Sequence, residues 1–249
     1  MGRIFTTYFT SRRNPIRNVR VEKDCFPYVE AWHDSLHAAG LHGTIFHDGL
    51  SDAFVAAHRT ARVDFVFEDP SRFTYSLNDE RFFIYLRHLL ARPEIESLFM
   101  TDGSDVIVAG DPFPSLAAGK VYAGSEDATL HPPPPADDEI AFGHHTYAIE
   151  RLEAAGLHDF LAWAASREEA LPVLNAGILG GRRDVVLAVL ERITETLAAI
   201  GKPGENLNMG VFNYVLYTFF KDRLVTGAPV HSVFGAYERD REDVWFIHK

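Results

Sequence analysis

Apolar and polar positions along this chain switch repeatedly between a period of two and a period of about 3.6, the signatures of strands and of amphipathic helices. Arg3 to Thr10 has the aromatic and β-branched content of an opening strand, and it breaks into the polar run Ser11-Arg12-Arg13-Asn14-Pro15. Residues 24–39 carry Tyr28, Val29, Trp32 and Leu36 at helical spacing and stop at Gly40. Residues 43–47 and 63–67 predict short strands. Asn78-Asp79 can cap a helix through Phe82, Phe83, Tyr85, Leu86, Leu89 and Leu90, which ends before Pro93. That helix leads into Phe99-Met100-Thr101, the turn Asp102-Gly103-Ser104-Asp105 and the β-branched run Val106-Ile107-Val108.

Lys120 to Ala123 predicts a further strand, and from Asp127 to Ile140 the pattern is lost. Four prolines follow His131, then three acids, which reads as a stiff polyproline-type loop over one face of the domain. Amphipathic stretches lie near residues 146–166. The segment from Leu174 to Gly181 reads as a buried strand with glycines at its passage into a periodic helix from Asp184 to Ala199. Lys202-Pro203-Gly204 breaks the chain before a second helix, Met209 to Phe220, and Val244 to Lys249 closes it as a strand. Strands alternating with helices imply an α/β fold with a mixed, mainly parallel sheet flanked by helices, and no linker divides residues 1–249 into more than a single domain.

Composition narrows the classes of function. Against 24 basic side chains stand 35 acidic ones, a formal charge of −11, so a general nucleic-acid binder that works by neutralising phosphates is disfavoured. Cys25 is the only cysteine, which excludes an intramolecular disulfide and a cysteine zinc site and fits a reducing compartment. Arg3, Arg12, Arg13, Arg17 and Arg20 open the chain with no apolar signal-peptide core, and no apolar run reaches the roughly 20 residues of a membrane span. A cytoplasmic protein without a transmembrane segment is the expectation.

The candidate chemistry centres on Asp102 and Asp105. A carboxylate cannot be buried unpaired in a strand, so both must lie at strand ends, with Gly103 and Ser104 folding the backbone so that they face one point. Oxygen ligands so arranged suit Mg²⁺ or Mn²⁺. A polar β-turn capped by aspartate is the alternative from this segment alone.

Taken with an opening strand and loop, Asn175-Ala176-Gly177, Asn208-Met209-Gly210-Val211-Phe212-Asn213 and a late histidine, the aspartate segment resembles a GT-A fold glycosyltransferase. Within that class it is most similar to the glycogenin-like branch of nucleotide-diphospho-sugar transferases. The resemblance implies a Rossmann-like GT-A domain that moves a sugar from a nucleotide-diphosphate donor to a glycan or other hydroxyl acceptor, with retention and with Mn²⁺ or Mg²⁺ as cofactor. It implies Asp102, Asp105 and His248 as metal ligands, with His231 as the lesser candidate in place of His248. Asp102 and Asp105 are one residue further apart than the family's Asp-x-Asp. Tyr8, Phe9 and Thr10 would contact base and ribose, Arg81 and Tyr85 share a helix face toward the nucleotide, and Arg13 and Lys249 are further phosphate partners. Asn175 and Asn208 would stand at the reacting centre, with Ala176 and Gly177 beside the donor. Asn208 and Met209 occupy places where the family has Asp and Gln, so Asn208 cannot serve as a carboxylate nucleophile. A sugar-phosphate nucleotidyltransferase is the enzymatic rival, and a non-catalytic nucleotide or carbohydrate binder the rival from another class.

Overall fold

The computed structural model describes residues 1–249 with the exception of Arg17, residues 235–237, Arg239 and Lys249. Lys249, expected at the donor site, and Arg17 of the early arginine cluster therefore lie outside the described residues. The chain forms strands β1 (Gly2–Tyr8), β2 (Gly43–His47), β3 (Val63–Phe67), β4 (Ser97–Thr101), β5 (Val106–Val108), β6 (Val121–His131), β7 (Leu171–Arg182), β8 (Leu224–Val225) and β9 (Phe246–His248). Its helices are α1 (Glu30–Ala38), α2 (Asp52–His58), α3 (Leu77–Ala91), α4 (Glu139–Ala154), α5 (His158–Ala165), α6 (Arg183–Ile200) and α7 (Asn208–Phe219), with four short 3-10 turns among the described residues.

The main sheet has seven strands in the order β3-β2-β1-β4-β7-β6-β8, and β5 pairs with β9 in a separate ribbon. β1, β2, β3 and β4 are parallel, whereas β7 is antiparallel to both β4 and β6. A parallel strand covered on both faces buries neighbouring side chains on opposite sides, and in β1 Ile4 packs into one core and its neighbour Phe5 into the other. Trp32 and Leu36 of α1 cover the first face together with Val106 and Phe246, and α3, α4, α6 and α7 cover the second. Among the described residues no helix is long and apolar enough to cross a membrane.

Several boundaries differ from the sequence expectation for physical reasons. Ser76, and not Asn78 or Asp79, caps α3 by accepting from the Asp79 amide at 3.3 Å. The strand expected over Lys120 to Ala123 continues to His131, and α4 begins at Glu139, where Asp138 caps it by accepting from the Ala141 amide at 3.1 Å. The patternless excursion thus shrinks to the prolines. Gly177, Gly180 and Gly181 lie within β7, not in a turn after it.

Helices α4 and α7 pack so closely that a Cβ on Gly210 would stand 2.6 Å from the Arg151 carbonyl carbon and 2.8 Å from the Leu152 amide nitrogen. Backbone atoms cannot rotate away as a side chain can. Gly210→Ala is expected to lower the unfolding free energy by about 1–3 kcal/mol, read as a lower urea midpoint at unchanged slope.

Candidate active site

In the strand order, β1 is followed by β2 on one side and, after two crossovers, by β4 on the other. Open α/β sheets bind ligands in the crevice outside the carboxyl ends of strands at such a switch point. A cavity of about 480 Å³ occupies this place, lined by Thr7 at the end of β1, by Asp102 to Asp105 after β4, and by Asn175, Ala176 and Gly177 of β7. Arg81, Glu126, His144, Asn208, Phe234 and His248 complete the inner wall.

Asp102 directly follows β4 and Asp105 directly precedes β5, so both carboxylates are at strand ends. The Asp102 amide donates to the Gly177 carbonyl at 2.9 Å, which fixes the aspartate against β7. Arg81, 7 % exposed, pairs through Nη1 with Asp102 Oδ1 and donates from Nη2 to the Ala176 carbonyl at 2.9 Å. The guanidinium thus holds the aspartate and the adjacent strand in one unit. Charge-assisted bonds of this kind are the strong ones, and breaking a buried pair leaves an uncompensated charge.

His248 reaches the same corner because β9 pairs with β5, placing His248 opposite Val106. Its ring is buried and its Nδ1 has no hydrogen-bond partner. Burial pushes its pKa down to about 4, against the opposing pull of Asp102, so the imidazole is neutral at pH 7. Gly177 marks where these groups converge. A Cβ there would stand 2.6 Å from Asn175 Oδ1, 2.7 Å from Asp102 Oδ2 and 2.9 Å from His248 Cε1.

This corner fits a hard or borderline cation in part. A neutral, orphaned imidazole and a carboxylate oxygen face one small volume, and Asp105 lines the same cavity. Among the described residues no three His, Cys, Asp or Glu side chains form a group that could hold a metal by themselves. Mg²⁺ commonly takes one or two carboxylates and completes its shell with water and substrate phosphates, so the donors present suit an ion that arrives with its ligand.

His231 is not available for such a role. Its Nε2 accepts from the Ser125 amide at 3.0 Å and the Gly227 amide at 3.2 Å, and Nδ1 lies 2.6 Å from the Ser232 carbonyl. Both ring nitrogens are spent on the backbone.

The expected base and ribose contacts are displaced. Tyr8 is buried with its hydroxyl donating to the Glu22 carbonyl at 2.6 Å, and burial pushes its pKa up to about 12. Phe9 packs on Phe73 at 5.3 Å between ring centroids, and the Thr10 amide donates to Asp48 at 2.6 Å. None of the three lines the cavity; Thr7 does, on the opposite face of β1 from its neighbour Tyr8, while Phe9 and Thr10 lie past the end of the strand. Arg13 turns outward and donates to the Asn18 carbonyl at 2.7 Å, closing a small loop. Tyr85 lies behind Arg81, packed on Phe5 and Phe46. What the loop contributes instead is Asn14, Ile16, Val19, Val21 and Glu22. Its signal in the sequence is the set of apolar residues within an arginine-rich polar run; Ile16 and Val19 remain 58 % and 54 % exposed at the mouth.

Four carboxylates, Glu22, Asp102, Asp105 and Glu126, line the cavity against the single guanidinium of Arg81 among the described residues. Glu126 escaped the sequence reading altogether. It lies on β6 with its side chain 4 % exposed, accepts from Asn175 Nδ2, and has Oε2 3.0 Å from His144 Nδ1. That approach is an ion contact more than a well-directed hydrogen bond. Glu126 raises the pKa of His144, against the effect of burial. A histidine whose folded pKa is raised adds stability that is full below its unfolded pKa of about 6.5 and is lost as pH rises through the folded pKa. The melting-temperature difference between wild type and His144→Gln is therefore expected to be largest in mild acid and to vanish on the alkaline side.

Asn208, the first residue of α7, lines the cavity, and its Oδ1 is buried without a hydrogen-bond partner. Asn213 fastens α7 to β7 by accepting from the Leu174 amide at 2.8 Å and donating to the Leu174 carbonyl at 2.9 Å.

Comparison with solved structures places this architecture. The galactosyltransferase LgtC in complex with donor and acceptor sugar analogues superposes with a TM-score of 0.54 at 14 % identity, covering 100 % of this chain and 86 % of LgtC. An active-site mutant of LgtC gives 0.54 at 12 % identity with the same coverage. This is the GT-A fold. The likeness lies in the fold and does not extend to the glycogenin-like branch expected from the motif order. No sequence-family model and no curated protein sequence matches the chain.

Proposed function

We propose that this protein is a glycosyltransferase that moves a sugar, of hexosyl type, from a nucleotide-diphosphate donor to an acceptor hydroxyl. The observation that carries the reading is the convergence of Asp102, His248 and Asn175 on the bare backbone of Gly177, braced by buried Arg81, at the switch point of a GT-A fold. The structural likeness to LgtC, whose complex holds donor and acceptor sugar analogues, supports it.

In this reading the missing side chain of Gly177 lets Asn175, Asp102 and His248 converge against β7, and Arg81 holds the Asp102 carboxylate in that corner to meet the donor. Asp102 and His248, with Asp105 on the same wall, are the residues that would hold Mn²⁺ or Mg²⁺. When bound, it supplies Lewis-acid stabilisation of the charge that develops on the departing diphosphate. Asn208 offers an amide and no carboxylate, so a covalent double displacement through that position is disfavoured.

A thermal-shift panel of UDP, GDP, CDP and dTDP with their common sugar conjugates, each with and without Mn²⁺, tests the reading. A ligand at 100 times its Kd stabilises the fold by about 2.7 kcal/mol. A metal-dependent rise for one nucleotide class supports the transferase; stabilisation by a nucleoside triphosphate alone favours the nucleotidyltransferase, and no rise with any diphosphate contradicts the donor site.

A further inference from the structure

The contact between Glu126 and His144 has no part in holding the donor as described above, yet it faces the same cavity. Burying a carboxylate without compensation is costly, and Glu126 is matched on one oxygen by Asn175 and on the other by His144. The pairing uses His144 Nδ1 and leaves Nε2 without a protein partner among the described residues. A carboxylate 3.0 Å from one ring nitrogen favours the proton on that nitrogen, and in the neutral ring the other nitrogen is then the acceptor.

Two contacts place the pair relative to the donor corner. The Asn175 amide spans both, accepting from the Gly177 amide at 2.6 Å and donating to Glu126. The Phe234 ring packs against both histidines, its centroid 5.4 Å from that of His144 and 4.5 Å from that of His248, so the two imidazoles line adjoining parts of one cavity. An acceptor hydroxyl must sit against the anomeric carbon of the donor, within the cavity that His144 lines together with Asp102, Gly177 and His248.

We propose that His144, positioned by Glu126, is the proton acceptor for the acceptor hydroxyl. The acceptor oxygen forms its bond to the anomeric carbon of the donor, the bond from that carbon to the diphosphate oxygen breaks with its electron pair leaving on the diphosphate, and the hydroxyl proton passes to His144 Nε2. His144 is the catalytic residue and Glu126 a positioning residue. Among the described residues, Glu126 foremost, with Asp127 from β6 and Asp138 from the cap of α4, raises the basicity of the imidazole against the effect of burial. General-base assistance of this kind contributes about 10²–10⁴-fold.

The proposal rests on the glycosyltransferase reading, and one experiment separates the two. Release of nucleoside diphosphate from the nucleotide sugar that stabilises the wild type is followed across pH, with water and with lactose as probe acceptors, for wild type, His144→Gln and Glu126→Gln. Donor binding is read by thermal shift in all three. The expected result is unchanged donor binding, a kcat lowered at least 100-fold in His144→Gln with loss of the acidic limb of its pH profile, and a smaller fall in Glu126→Gln with that limb moved to lower pH. Variants within threefold of wild type with the limb unmoved, or variants that lose donor binding and turnover together, overturn the relay. A wild type that neither binds nor turns over any nucleotide sugar overturns the glycosyltransferase reading itself, and the relay with it.

Discussion

Asp102→Asn is expected to lower sugar transfer by about 10²–10³-fold, the cost of removing one group that stabilises charge in the transition state, while the protein remains folded. The amide keeps the size of the carboxylate and can still accept from Arg81, so the architecture of the corner persists. What disappears is the negative charge. Arg81 is then a buried cation without a counter-ion, a loss that costs about 3–5 kcal/mol where both partners are fully buried; Asp102 is 34 % exposed, which brings the figure lower. Steady-state kinetics and a thermal melt on the same sample check both halves. The fall must be in turnover and in metal-dependent donor stabilisation, because the residue acts on the diphosphate end of the donor. An effect on acceptor KM alone would place Asp102 elsewhere in the reaction.

Gly177→Ala is expected to abolish donor binding. The added methyl group would have to occupy the volume on which Asn175 Oδ1, Asp102 Oδ2 and His248 Cε1 converge, at 2.6, 2.7 and 2.9 Å. Real Cβ contacts are longer than this, so one or more of the three side chains must move, and a displacement of about 1 Å at a reacting centre costs on the order of 100-fold in rate. Gly180→Ala is the matched control. It also adds one methyl to β7, but its Cβ would overlap the Phe99 ring, away from the cavity. Both variants should lose stability by about 1–3 kcal/mol from overpacking, and only Gly177→Ala should lose the nucleotide-dependent rise in melting temperature.

The contrast between these two glycines shows what the sequence could not display. Leu174 to Gly181 was legible as a buried strand, and the glycines were legible as places of close approach. Their position inside the strand, with Gly177 and Gly180 meeting different neighbours, depends on the pairing of β7 with β4 and β6, which no local pattern records. The strands at 43–47 and 63–67 were legible to the residue, because their apolar runs are short and bounded. The second half of β6 was not: Gly124, Ser125, Glu126 and Asp127 are poor strand formers, and the strand survives through irregular pairing with shifts of register. Glu126 was hidden with it. At the other end of the site, Asp102, Asn175, Ala176, Gly177, Asn208 and His248 were named from motif order and Arg81 from its place on the helix before β4, and the fold brings them to one cavity. Tyr8 was misplaced because a strand alternates sides and its neighbour Thr7 faces the cavity, and Phe9 and Thr10 because they lie past the strand end, held by Phe73 and Asp48.

The measurement that tests the central claim most directly is release of nucleoside diphosphate from a panel of nucleotide sugars by the wild-type protein and by Asp102→Asn, with Mn²⁺ present. The account predicts release from one nucleotide class by the wild type, accelerated by an acceptor sugar and nearly lost in the variant. Release at equal rates by both proteins, or by neither while the wild type is folded, contradicts it.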